Sequence, residues 1–158
     1  MFSLWGSTTG NIIMTFLISM VPVIELRGAI PLGVLNGLDV GTAMAVSIVG
    51  NLIPVPFIII FIRKIFKWMQ NHSEVLARIV HKMEEKADKK KDKVLKYEFW
   101  GLLILVAIPL PGTGAWTGAL VAAMLDMRLT RAFPAIATGV VIAGIIVTVA
   151  TYGVASIF

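Results

Sequence analysis

The sequence predicts an all-α integral membrane protein, and three observations lead there. Of its 158 residues, 58% are hydrophobic and 15% are charged, against roughly 45–50% and about 25% in ordinary soluble domains. The net charge of +5 is concentrated in one place. Segment 63–98 holds 11 Lys+Arg and 6 Asp+Glu, which leaves three charges of each sign on the other 122 residues. Those residues are dominated by four apolar stretches, 12–38, 40–62, 99–125 and 132–157. A water-soluble nucleic-acid binder cannot leave so much chain nearly uncharged. The basic excess is therefore read as a topology signal, and no nucleic-acid partner is expected.

The first and third stretches predict re-entrant hairpins. Residues 12–24 run for 13 apolar positions before Glu25-Leu26-Arg27-Gly28-Ala29-Ile30-Pro31. Residues 99–111 run for 13 more, ending in Pro109-Leu110-Pro111-Gly112-Thr113-Gly114. Helices of that length reach about 20 Å, short of a hydrocarbon core of about 30 Å. Each is followed by a second short apolar piece that ends at Asp39 or Asp126. Hairpins 12–38 and 99–125 are thus expected to dip into the membrane and return to the side they entered. Broken backbone at that depth must pack inside protein or line a cavity.

The second and fourth stretches predict full spans. Residues 40–62 offer 23 uncharged positions and 132–157 offer 26, each long enough to cross. Pro54 and Pro56 are expected to kink or break the far end of the first span. Asn51 is placed to satisfy the backbone groups so freed.

Between the repeats lies the basic connector 63–98. Val75, Leu76, Ile79, Val80 and Met83 form one apolar helical stripe. Ser73 is the expected N-cap, and Glu74–Arg78 and Glu85–Lys89 are favourable i,i+4 pairs. Ile65, Phe66, Trp68 and Met69 beside Arg63, Lys64 and Lys67 read as an interfacial belt. The segment is expected to lie on anionic headgroups at the inner face; a regulatory or lipid-sensing role is the alternative.

The organisation is that of one membrane domain with an internal repeat. At an offset of 87 residues Pro22 falls on Pro109, Val34 on Val121, Leu38 on Leu125 and Asp39 on Asp126. The first copy covers 12–62 and the second 99–157. A single full span between them gives the copies opposite topology, and inverted repeats with interrupted helices point to a transporter site near the midplane. The Lys/Arg bias puts 63–98 in the cytoplasm, with both termini outside and Arg128 and Arg131 inside. Four full crossings would instead put those two arginines outside.

Glu25 and Arg27 are the leading functional candidates, because a charge at mid-membrane costs about 2.5–3.5 kcal/mol on insertion scales. Arg27 is expected to attract an anionic group while Glu25 takes and releases a proton. A buried ion pair that merely holds the hairpins together is the competing reading. Gly28 and Pro31 complete the first tip, which the Gly-Pro chemistry is expected to break. In the second tip Gly112, Thr113, Gly114, Trp116 and Thr117 are expected to present backbone amides and hydroxyls to a substrate. The alternative there is a tight small-residue turn, Gly114 and Gly118 forming a small-xxx-small pair. The GxGxxxG spacing without a preceding strand does not fit a dinucleotide site, and no lysine follows for a P-loop. Asp39, Asp126, Arg128 and Arg131 are expected at the interfaces, as caps and topology markers or as gating groups.

No cofactor or metal is expected. Cysteine is absent, and His72 and His81 are isolated, with no ligand cluster around them. Without a nucleophile set or a metal site, no enzyme activity is expected. The first Lys or Arg is Arg27, so no cleavable leader is expected and the mature segments drive insertion.

Ile24-Glu25-Leu26-Arg27-Gly28-Ala29-Ile30-Pro31-Leu32-Gly33 together with Pro109 to Gly118 resembles the small multidrug export protein family, a branch of the DedA/VTT-domain membrane proteins. The resemblance implies two re-entrant hairpins with inverted symmetry, a homodimer, and proton-dependent movement of lipids, notably undecaprenyl phosphate in bacteria. Glu25 fits the acidic position of the superfamily's first hairpin. The second hairpin carries no arginine, so Arg27 is the one deep cation. The expectation is a transporter in a bacterial or archaeal plasma membrane, moving an anionic or amphipathic substrate, with membrane lipids and a second copy as partners. A small-cation exporter using Glu25 and a non-transporting scaffold are the alternatives.

Overall fold

The computed structural model describes residues 5–88 and 91–157, and those residues form helices joined by short breaks. In chain order they are α1 (Thr8–Met20), α2 (Glu25–Leu35), α3 (Val40–Leu52), α4 (Pro54–His72), α5 (Glu74–Asp88), α6 (Lys91–Ala107), α7 (Ala115–Met124) and α8 (Leu129–Ile157). The chain is all-helical among the described residues, as its composition predicts.

Each hairpin arm starts and stops for a local reason. Ser7 caps α1 by accepting the Gly10 amide at 3.1 Å. The helix ends where Val21 turns extended before Pro22, since the residue before a proline avoids the helical region. The break therefore lies at 21–24, ahead of Glu25. Sequence reading placed it within Glu25–Pro31, yet that run is helical. Pro31 sits inside α2 and removes only the amide that would bond the Arg27 carbonyl. In the second hairpin the break spans 108–114, where Pro109, Pro111, Gly112 and Gly114 cluster.

α2 and α7 stop in the same way. The Gly37 amide bonds the Val34 carbonyl and the Leu38 amide bonds that of Gly33. The Asp126 amide bonds Ala123 and the Met127 amide bonds Ala122. Both are Schellman motifs, with Gly37 (φ 96°) and Asp126 (φ 51°) in the left-handed position and with buried Leu38 and Met127 after them. This corrects the sequence repeat. Asp39 is the N-cap of α3, accepting the Thr42 amide at 2.8 Å, whereas Asp126 closes α7. The two aspartates do different work, and the two stop motifs lie 89 residues apart, not at the offset of 87 read from the sequence.

The expected proline break in the first span is slight. α3 and α4 are separated by Ile53 alone, which keeps helical angles (φ −59°, ψ −45°) and donates to Val49 at 3.3 Å. Pro54 is the first residue of α4, where a missing amide is tolerated. Val40–His72 is thus one helical path of 33 residues, about 50 Å at 1.5 Å per residue and longer than a bilayer core. Residues 63–72, assigned from sequence to the connector, are its C-terminal end, and 91–98 begins α6. Val40–His72 and Leu129–Gly153 are the two helices long and apolar enough to cross a membrane.

Within α5, Val75 and Ile79 are exposed. The side chains of Leu76, Val80 and Met83 lie outside the described residues, as does Lys89 of the expected Glu85 pair. Ser73 has the extended backbone of a cap and accepts the Ala77 amide at 2.9 Å. Among the described residues Glu74 and Arg78 do not pair, and the ion pair present is Arg63 Nε to Asp126 at 3.6 Å.

Packing brings the N-terminal and C-terminal helices together. α1, α2 and α3 pack on one another, α6 packs on α8, and α4 packs on α7. α8 also contacts α2 and α3. The shared apolar core includes Leu26, Ile30, Ile59, Val106, Ala119 and Ile136. Gly118 and Gly139 let α7 and α8 close on α6, since a β-carbon on either would sit within 2.8 Å of Val106.

Candidate functional site

The two helix breaks meet. Val23 (φ 76°) and Glu25 (φ 49°) hold left-handed backbone in the first turn, a conformation costing about 1–2 kcal/mol per non-glycine residue. Gly112 (φ 81°) and Gly114 (φ 128°) do so in the second, where glycine adopts it freely.

Arg27 reaches across to the second break. Its guanidinium donates to the Leu110 carbonyl, to the Ile108 carbonyl at 3.3 Å and to Thr113 Oγ1 at 2.9 Å. Thr113 Oγ1 also accepts the Leu110 amide at 3.2 Å, and the Thr117 hydroxyl donates to the Gly112 carbonyl at 2.9 Å. The fork of donors on arginine suits such a set of fixed acceptors. In this arrangement the guanidinium organises the loop, and its Nε is buried without a partner among the described residues.

Glu25 makes a separate connection. The side chain is 3% exposed. Its Oε1 accepts the Trp116 amide at 3.1 Å, with the Ala115 amide beside it. These amides begin α7, so the carboxylate sits on the positive end of a helix. Gly114 makes room, for a β-carbon there would collide with the carboxylate. Trp116 adds a second tie, its indole Nε1 donating to the Met20 carbonyl at 3.1 Å.

Glu25, Arg27, Gly112, Thr113, Gly114, Trp116 and Thr117 are therefore gathered at one place. Glu25 and Arg27 make no direct salt bridge among the described residues, though each lies in the other's field; both tie the first break to the second, Glu25 through the α7 amides and Arg27 through the 108–113 carbonyls. The threonine hydroxyls are engaged within their own loop and not turned outward. Gly114 and Gly118 also divide: Gly114 faces Glu25 while Gly118 packs on Val106.

Three expected residues lie elsewhere. Gly28 faces Ile24 of its own turn, and Pro31 is within α2. Asn51 is 1% exposed in α3, and both its side-chain polar atoms lack a partner among the described residues. It satisfies no backbone group freed by the prolines, because the helix hardly opens there. Asp126 is exposed and meets Arg63, while Arg131 is the charged neighbour of Glu98. His72 stacks on Trp68 with ring centroids 4.6 Å apart. The partners that sequence reading missed are backbone groups of Met20, Ile108, Leu110 and Ala115, which leave no side-chain signature.

Residues 25–146 match the family described as Putative small multi-drug export protein. The chain belongs to that family. The match begins at Glu25 itself, just after the first break, and takes in the second break and most of α8. No curated protein and no solved structure matches the chain. With its family described as one of export and two helices able to cross a bilayer, this is a membrane protein of the transporter class.

Proposed function

We propose that this family member is a proton-coupled transporter of an anionic or amphipathic substrate, with a phosphate-bearing lipid, such as undecaprenyl phosphate or a phospholipid, as the substrate class. One observation carries the reading: a buried carboxylate from the first hairpin rests on the N-terminal amides of α7. A helix N-terminus favours anions, so Glu25 occupies the seat that a substrate's anionic group would take. Protonation neutralises Glu25, weakens its hold on the amides and admits the substrate. Loss of the proton returns the carboxylate and expels the substrate. Arg27 keeps loop 108–113 in shape, and its Nε, without a hydrogen-bond partner among the described residues, is the donor left for the substrate's charge.

Two re-entrant hairpins in an inverted repeat suit the packing. α1 lies on α3 as α6 lies on α8, and both hairpins end in the same motif. Asp39 opens the long helical path while Asp126 meets Arg63 far along it, so the hairpins approach from opposite ends. On this reading 63–98 is cytoplasmic and both termini are outside. Exposed Leu35, Phe57 and Phe61 would face lipid or a second copy, and a homodimer would complete the walls of the site. No part of the cycle is enzymatic.

The family description favours a second reading, export of small organic cations with Glu25 as counter-charge. Liposomes holding a fluorescent polyprenyl-phosphate analogue, with and without a pH gradient, separate the two. Gradient-dependent movement of the lipid, lost in Glu25→Gln, supports the anionic substrate. Movement of cationic dyes alone would replace it with the exporter.

A further inference from the structure

A row of neutral polar side chains runs through the interior of the first hairpin and has no part in the tip contacts. On α1 these are Asn11, Thr15 and Ser19, spaced four apart, and on α3 they are Ser47 and Asn51, also four apart; all five are buried. Thr15 Oγ1, Ser47 Oγ and both polar atoms of Asn51 have no hydrogen-bond partner among the described residues. Thr15 and Ser47 are 0% exposed and Asn51 is 1% exposed. Buried polar groups are otherwise nearly always satisfied by protein or by ordered water.

Their levels can be read from close approaches. A β-carbon on Gly33 of α2 would sit 2.8 Å from Thr15 Oγ1 and 3.3 Å from Ala43, and one on Gly50 would strike Ser19. Gly33 of α2 thus lies between Thr15 of α1 and Ala43 of α3, and α1 closes on α3 where Ser19 meets Gly50. The edge of α3 bearing Met44 and Ile48 faces Gly144 of α8. At about 100° per residue, Ser47 and Asn51 fall on the arc between these two edges, which is turned toward α2. At one end of the row Asn11 donates to the Asn36 carbonyl at 2.5 Å, beside the exposed Gly37 turn. At the other end Ser19 adjoins Met20, whose carbonyl receives the same Trp116 that binds Glu25.

We propose that this seam between α1, α2 and α3 binds a file of water molecules that carries protons between the Asn36–Gly37 end and Glu25. Water fits the chemistry better than a bare cation. A cation would satisfy the hydroxyl and amide oxygens but oppose Asn51 Nδ2, whereas water both donates and accepts. The seam groups are neutral, and Arg27 is the charged neighbour at the Glu25 end. The hydration of the seam stands alone; its role as a proton route rests on the proton-coupled reading above.

The chain has no native cysteine, so single-cysteine variants report water directly through thiolate reactivity. In purified full-length protein, Ser47→Cys and Thr15→Cys should react with silver ion at least about tenfold faster than Val140→Cys, which is equally buried in the apolar core. Reaction no faster than Val140→Cys in both variants overturns the proposal, whatever the protein transports. For the proton route, Thr15→Val combined with Asn51→Leu should slow substrate-driven proton uptake into dye-loaded vesicles about tenfold. Equilibrium binding of the polyprenyl-phosphate analogue should be retained. Unchanged uptake overturns the route, and a wild-type protein that moves no protons overturns the transport reading while leaving the silver result standing.

Discussion

Gly114 meets two demands at once. Its φ of 128° excludes an ordinary side chain, and its missing β-carbon leaves the space taken by the Glu25 carboxylate. Gly114→Ala should therefore displace Glu25 from the α7 amides and lower stability by about 1–3 kcal/mol. Thermal unfolding in detergent measures this, and Gly118→Ala, which meets a valine side chain, is the comparison. Arg27→Lys should lose most of the binding to Ile108, Leu110 and Thr113, since an ammonium cannot reproduce the planar fork. The expected result is faster proteolysis within loop 108–113. At this scale the sequence revealed the charges and not their partners. A carboxylate and a guanidinium within an otherwise uncharged run are conspicuous in any sequence, but the amides and carbonyls they bind belong to every residue alike.

Helix ends obey local rules, and much of their placement was legible. Pro109, Pro111 and Gly112 mark the second break and Asp39 is an N-cap by residue type, whereas the first break lies at Pro22 and not in the Gly28–Pro31 run where sequence reading places it. What misled was proline itself. Pro54 starts a helical segment and Pro31 sits within one, because proline's effect depends on its position in the hydrogen-bond ladder. The equivalence of Asp39 and Asp126 failed for a related reason, since one residue type serves both as an N-cap and, in left-handed backbone, as a helix terminator. Asp126→Gly should be near neutral in stability: the position favours glycine, and the exposed pair with Arg63 contributes little. Asp39 gives a pH test. The Thr42 hydroxyl and amide hold its carboxyl below the usual carboxylate value. Its contribution is complete above the unfolded-state value and fades as pH falls through the lower folded value. The unfolding midpoint should therefore drop more steeply below about pH 4 in the wild type than in Asp39→Asn, which keeps the cap without the charge.

For the whole molecule, composition established the class, while the meeting of the two breaks required three dimensions. Cysteines placed singly at Ser7 and Arg128 test the proposed topology. The Ser7 label should react from the side opposite the 63–98 connector and the Arg128 label from the same side as that connector. Ser7 sharing the connector's side would reject opposed hairpins.

The seating of Glu25 on α7 also has a thermodynamic consequence. Under the proposed cycle the chain carries its own competitor, tethered and therefore always present. Any external anion then binds with its intrinsic affinity reduced by the fraction of molecules whose seat is free. If the carboxylate holds that seat in about 99% of molecules, measured affinity is about 100-fold weaker than the site allows. Glu25→Ala should accordingly bind the lipid phosphate more tightly than the wild type while failing to release it on a pH cycle, a gain in affinity that marks the loss of transport.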